Sequence, residues 1–93
     1  MNNLQETVTM MNSTDYKERF KAEYYQTKIR YEKLKAFNNK IEASERTYYG
    51  CKKQIEMPEH DCPSDLLKQQ QSAMGEYLHL LEVRAVIEGI ELT

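Results

Sequence analysis

The sequence predicts an all-α fold: an antiparallel helical hairpin with a long connector, assembled from several copies into a homo-oligomeric helical bundle. Three observations predict it. Apolar residues recur at alternating spacings of three and four along two long segments, the period of a single helix face. Only three Gly and two Pro punctuate 93 residues, too few for a turn-rich β fold. The chain is long enough for one small core, and a lone hairpin of this size buries little, which is what calls for further copies.

Residues 1–14 read as an N-terminal arm or a short docking helix, with Leu4, Val8 and Met11 at helical spacing, and 15–93 as the hairpin domain. Asp15 followed three residues later by Glu18 is a capping-box pattern, so a helix begins near Tyr16. Phe20, Tyr24, Thr27, Tyr31, Leu34, Asn38 and Ile41 then fall on one stripe, its buried seam. Two ends fit this helix. Asn38-Asn39 is one break, and the periodicity also continues through Ser44 and Tyr48 to Gly50. Residues 50–62 read as a loop. Its Cys51, His60 and Cys62 lack the paired spacing of zinc ligands, and the thiols are expected to be free in a reducing compartment.

The second helix starts at Pro63, placed at the first helical position, and stops at Gly89, with Ile90 folding back on the last turn. Its stripe takes in Leu66, Leu67, Gln70, Ala73, Met74, Tyr77, Leu80, Leu81, Arg84 and Ile87. Gln70 and Arg84 are the anomalies on this stripe. A desolvated guanidinium needs a partner, either a Glu on the first helix or an anion bound where protomers meet, and the Gln70 amide needs partners likewise. Gly75, which costs about 1 kcal/mol relative to Ala inside a helix, marks a close approach by another backbone or a flat ligand.

Charge is unevenly spread. From Tyr16 to Lys40 eight basic residues face three acidic ones, whereas residues 41–93 hold five basic and ten acidic. This balance fits pairing between a basic and an acidic helix, and it also fits a phosphate-binding surface. Seven Tyr and no Trp add flat apolar faces carrying a hydroxyl, the kind of group that stacks on a nucleobase. Tyr24 and Tyr31 are committed to the seam, so Tyr16 and Tyr25 are the tyrosines expected to face a ligand or another subunit. No apolar run approaches the roughly 20 residues of a membrane span, and the opening Met-Asn-Asn-Leu has no signal-peptide character. Outside the basic helix the chain carries a net charge of −7, which disfavours duplex nucleic acid. No nucleophile-base or metal constellation is legible, so no enzyme activity, cofactor or metal is expected.

The blocks DYKERFKAEYYQTKIRYEKL (15–34) and CPSDLLKQQQSAMGEYLHLLEVRAVIEGIEL (62–92) resemble a family of small helical-hairpin proteins encoded by phages and prophages of gut bacteria, including crAss-like phages. The densest part of the likeness is carried by Leu67, Gln70, Ala73, Met74, Tyr77, Leu81 and Arg84. More remotely, the Pro-started second helix with its Ala-Met pair and later Arg is similar to the hairpin of viral sponge proteins, which sequester the nucleotide messengers of CBASS and Thoeris immunity. That resemblance implies a homo-oligomer, often a hexamer, holding a cyclic nucleotide between protomers without cleaving it, in the cytoplasm of a bacterial host. On this chain it implies that Tyr16 and Tyr25 stack bases, that Arg19, Lys28 and Arg84 hold phosphates, and that Gln70 or Tyr77 reads a base edge or ribose hydroxyl. The rival expectation is an oligomeric helical adaptor or protein-binding inhibitor, with the tyrosines as interface anchors.

Overall fold

A computed structural model describes residues 3–92 and contains three helices, α1 (Leu4–Met11), α2 (Tyr16–Arg46) and α3 (Ser64–Glu88). Among the described residues there is no strand, and no helix is long and apolar enough to cross a membrane. Residues 1, 2 and 93 of the expected arm and hairpin domain lie outside the described residues.

α1 starts where Asn3 Oδ1 accepts from Glu6 N at 2.9 Å, and it folds back along the first half of α2. The face it buries differs from the expected one. Val8 and Met11 are exposed, and Thr7 is fully buried. Ala22, on the side of α2 turned away from α3, has no exposure either, and α1 is the other helix packed on α2. Both buried side chains are small, which suits close packing.

α2 begins as expected at Tyr16, with Asp15 Oδ1 accepting from Lys17 N at 3.0 Å. The reciprocal half of the cap is different. Ser13 Oγ, rather than Glu18, accepts from Asp15 N, at 3.0 Å. The helix runs through Asn38 and stops at Arg46, capped by Thr47, whose hydroxyl donates to Ala43 O at 2.8 Å and accepts from Ile55 N at 3.0 Å. Gly50 (φ +78°) lies in the turn beyond. The connector then lies back along this end of α2, with His60 edge-on to Phe37 at 6.0 Å, and Ile41 and Ser44 are buried there.

Pro63 sits one position earlier than expected, as the N-cap of α3 with ψ 144°, its carbonyl accepting from Leu67 N. At the other end Gly89 adopts φ +69° and Ile90 N donates to Ala85 O at 2.8 Å, a left-handed stop that tucks Ile90 into the core. Contacts between α2 and α3 run in opposite order along the chain: Tyr16 with Glu88, Tyr24 with Glu82, Tyr31 with Gly75, Asn38 with Gln71. The apolar core gathers at one end, where Phe20, Tyr24, Tyr25, Leu78, Leu81, Ala85 and Ile90 pack with Tyr31 and Leu92 at the margin.

Candidate functional site

The seven-residue repeat of the α2 stripe sets Tyr24, Tyr31 and Asn38 one above another along the seam, with α3 opposite. Asn38 is 4% exposed, and its Nδ2 donates to Leu67 O at 3.1 Å and to Gln71 Oε1 at 2.8 Å. Its Oδ1 is buried with no hydrogen-bond partner. A buried carbonyl oxygen left in this way costs about 1–3 kcal/mol relative to a satisfied one.

Asn38 opens onto a groove on one flank of the seam. Its widest section, about 520 Å³, is lined by Tyr31, Asn38, Asn39, Glu42, Lys68, Gln71, Ser72 and Gly75. The adjoining section, about 200 Å³, is lined by Tyr24, Lys28, Tyr31, Glu32, Gly75, Leu78 and Glu82. Tyr31 and Gly75 belong to both, so the sections are consecutive. The close approach expected at Gly75 is made by the Tyr31 ring: a Cβ there would stand 3.2 Å from Tyr31 Cε1. Absence of a side chain lets the ring cross α3 and form the divide between the two sections.

Lys28 Nζ stands 5.8 Å from the centroid of the Tyr24 ring, within cation–π range. The Tyr24 hydroxyl donates to Glu82 Oε2 at 2.7 Å, and burial together with this carboxylate pushes its pKa up to about 12. Lys17, Lys21 and Lys35 share the Lys28 edge of α2 by their spacing of four and seven residues. Charge pairing does not join the two long helices. Among the described residues no Lys or Arg of α2 forms an ion pair with a carboxylate of α3, and the carboxylates bonded across the seam are bonded by tyrosine hydroxyls instead. The groove therefore combines a ring face, amides that both donate and accept, and on its rims Lys28 and Lys68 together with the carboxylates of Glu32, Glu42 and Glu82. Such a set can read the edge of a base or a ribose hydroxyl and offset a phosphate charge.

The opposite flank carries other residues expected at a site. Tyr16 OH donates to Glu88 Oε1 at 2.8 Å and accepts from Arg84 Nη2 at 2.9 Å, and the guanidinium lies 5.1 Å from the Phe20 ring centroid. Tyr77 OH donates to Glu23 Oε1. Each tyrosine has its pKa raised, chiefly by the carboxylate it bonds. Thus Tyr16 and Arg84 are brought together, with Tyr77 on the same flank, while Lys28 lines the groove.

Several expectations are corrected. Arg84 is not buried: its side chain is 53% exposed, and its ion partner is Glu88 on its own helix rather than a Glu of the first helix. Gln70 is exposed, and its neighbour Gln71 takes the place facing α2. The reason is phase. The line of α3 turned towards α2 is Leu67, Gln71 and Met74, half-buried, and Leu78, Leu81 and Ala85, buried, rotated from the stripe that runs through Gln70 and Arg84. Tyr25 is buried in the core, edge-on to Tyr24 at 5.5 Å, instead of facing outward. Arg19 Nη1 donates to Ser13 O at 3.0 Å, tying the α1–α2 turn. In the connector Cys51 and Cys62 are free and exposed, and among the described residues no three His, Cys, Asp or Glu side chains gather as metal ligands.

The groove residues Tyr31, Asn38, Lys68, Gln71 and Glu82 were not singled out as ligand-binding in the sequence. Two signals pointed there: an Asn on an otherwise apolar stripe, and a glycine inside a helix. Read instead as seam and close approach, they mark the floor and divide of the groove. No curated protein and no solved structure matches the chain. A family model described as Sequestin matches residues 14–87, which takes in all of α2 and all but the last residue of α3. With most of its length matched in this way, the chain belongs to the Sequestin family.

Proposed function

We propose that this protein is a phage-encoded sponge: in the cytoplasm of an infected bacterium it binds a cyclic nucleotide immune messenger and withholds it from its receptor without cleaving it. The family name denotes sequestering, which supports the binding role. The observation that carries the nucleotide reading is the groove, where the Tyr31 ring stands between two consecutive sections, one lined by the Asn38–Gln71 amide pair and Lys68 and the other by Lys28. A ring face stacks a base, an effect worth about 1–3 kcal/mol per base, and the amides read its edge. Lys28 and Lys68 hold phosphate or pyrophosphate from opposite walls. In this reading α2 and α3 form a hairpin and several copies assemble. The groove of one protomer is open along its length, so a neighbouring copy or the ligand's own second half completes the enclosure.

Isothermal titration calorimetry against cyclic di- and trinucleotides and cyclised ADP-ribose products tests the reading, with the ligand recovered afterwards and checked for integrity. The expected result is tight binding with intact ligand. Tyr31→Ala should weaken it about 10- to 100-fold, and Lys28→Ala or Lys68→Ala about 10-fold with a shallower dependence on salt. Binding that is undiminished in all three variants would remove the groove as the seat. Tyr48 and Tyr49, stacked edge-on at 4.6 Å and exposed beside the connector, favour a second reading as a protein-binding adaptor. Absence of binding across the panel would select it.

A further inference from the structure

α3 has a second apolar line that the other described residues leave exposed. Leu66, Ala73, Tyr77, Leu80 and Ile87 follow one another at spacings of seven, four, three and seven, and all five are exposed, Leu80 at 54% and Ile87 at 78%. Val83 flanks the line and is exposed as well. This is the a/d spacing of a helix-pairing seam. It lies on the α3 flank away from the groove, so it is not part of the ligand seat.

We infer that this line is the docking surface for a second copy of the same chain, the two α3 helices pairing antiparallel about a two-fold axis through Leu80. The inference rests on the oligomeric reading above and names its interface. Two features select a copy of the chain as the occupant.

The first is self-complementarity around Leu80. A two-fold axis at residue 80 brings each residue next to the one equally far on the other side, so Leu80 meets its own copy and Tyr77 meets Val83. Ile87 meets Ala73, a large side chain over a small one. Arg84 and Glu76 stand four residues either side of Leu80, about 6 Å along the axis at 1.5 Å per residue, and the same operation sets Arg84 of each copy beside Glu76 of the other. Both are exposed. Arg84 uses Nε and Nη2 within its own chain, which leaves Nη1 for the pair. Unlike charges therefore meet twice.

The second feature is area. The fractional exposures of Tyr77, Leu80, Val83 and Ile87, the residues this axis pairs, correspond to about 400 Å² of apolar surface, within the range for the largest patch on a monomer. A standard interface buries about 800 Å² per partner, of which about 500 Å² is apolar. The uncovered line thus supplies most of the apolar share that a stable pair requires.

Cross-linking and charge exchange test this placement in the full chain. With Cys51→Ser and Cys62→Ser removing the native thiols, Leu80→Cys should form an intermolecular disulfide rapidly under mild oxidation, whereas Ser72→Cys should not. In sedimentation, Arg84→Glu alone and Glu76→Arg alone should each weaken self-association at least 10-fold, and the double variant should recover most of it. Helical content by circular dichroism confirms that each variant folds. An oligomer that neither cross-links through residue 80 nor responds to the charge exchange would overturn the α3 pairing and leave the oligomeric reading standing. A monomeric parent chain at micromolar concentration would overturn both, and nucleotide titration of that monomer would still report separately on the groove.

Discussion

The two ends of the α2–α3 seam are built from opposite materials. At the Phe20–Leu81 end the helices meet through rings and aliphatic groups, with Ile90 folded over them, and Leu81 is left 1% exposed. At the Asn38–Gln71 end they meet through amides, and the space between them widens to about 520 Å³. Apolar burial stabilises without regard to direction, whereas an amide pair holds only in one geometry and keeps spare donors and acceptors. The apolar end thus anchors the two helices, which frees the polar end to stay open. A chain of this size has little stability to spare, so concentrating the core at one end is what allows the other to remain incompletely packed.

The comparison breaks most severely at the anchor. Leu81→Ala should cost about 3 kcal/mol or more, which lowers the melting temperature of a chain of this size by about 12–24 °C, read by circular dichroism. At the polar end Asn38→Asp should cost about 2 kcal/mol: a carboxylate cannot donate to Leu67 O or Gln71 Oε1 and brings a charge into a buried position. Asn38→Leu should cost less, because it also removes the orphaned Oδ1; chemical denaturation would rank the two. A smaller effect follows from Tyr24, whose folded pKa of about 12 lies above the unfolded value of 10.0. Its neutral form is the one the fold accommodates, so stability is fully present below about pH 10 and falls as pH rises towards 12, by about 1–2 kcal/mol after screening at its solvent-facing rim. Tyr24→Phe should flatten that decline in urea midpoints measured between pH 9 and 12. The smallest change in stability is expected for Gly75→Ala. Better helix propensity offsets displacement of the Tyr31 ring, leaving the melting temperature within a few degrees of the parent, while nucleotide affinity falls as the ring moves into the groove.

Much of the fold was legible in the sequence. The α2 seam, its start at Tyr16 and the Gly89–Ile90 stop all follow from local rules of periodicity and capping. Length of α2 was not, because Asn38-Asn39 carries a helix-breaking preference that the contact with α3 overrides: the side chain finds its partners across the seam. On α3 the apolar residues cover so much of the circumference that several phases fit. Three consecutive glutamines, Gln69 to Gln71, gave periodicity no means of telling which faces inward. The same ambiguity made Arg84 look buried. On α1, apolar spacing did not single out Thr7, which is buried while Val8 and Met11 are exposed and Leu4 is half-buried. Of the residues expected at a ligand site only Lys28 lines the groove, since which side of a helix faces a concavity depends on where the partner helix lies, and single-helix spacing does not encode that.

That tyrosine hydroxyls, and not lysines, bond the carboxylates across the seam has a consequence for how the protein meets changes in ionic strength. Tyr16–Glu88, Tyr24–Glu82 and Tyr77–Glu23 are bonds from a neutral donor to an anion, and they lose little to a shorter Debye length, about 10 Å at 0.1 M and 3 Å at 1 M. Lys17, Lys21, Lys28 and Lys35 remain outside those bonds, as a cationic rail whose attraction for phosphate fades as salt rises. Salt therefore addresses the two halves of the molecule separately. A concentrated electrolyte would loosen the hold on the proposed anionic ligand while leaving the helices in place, and dilution would restore it.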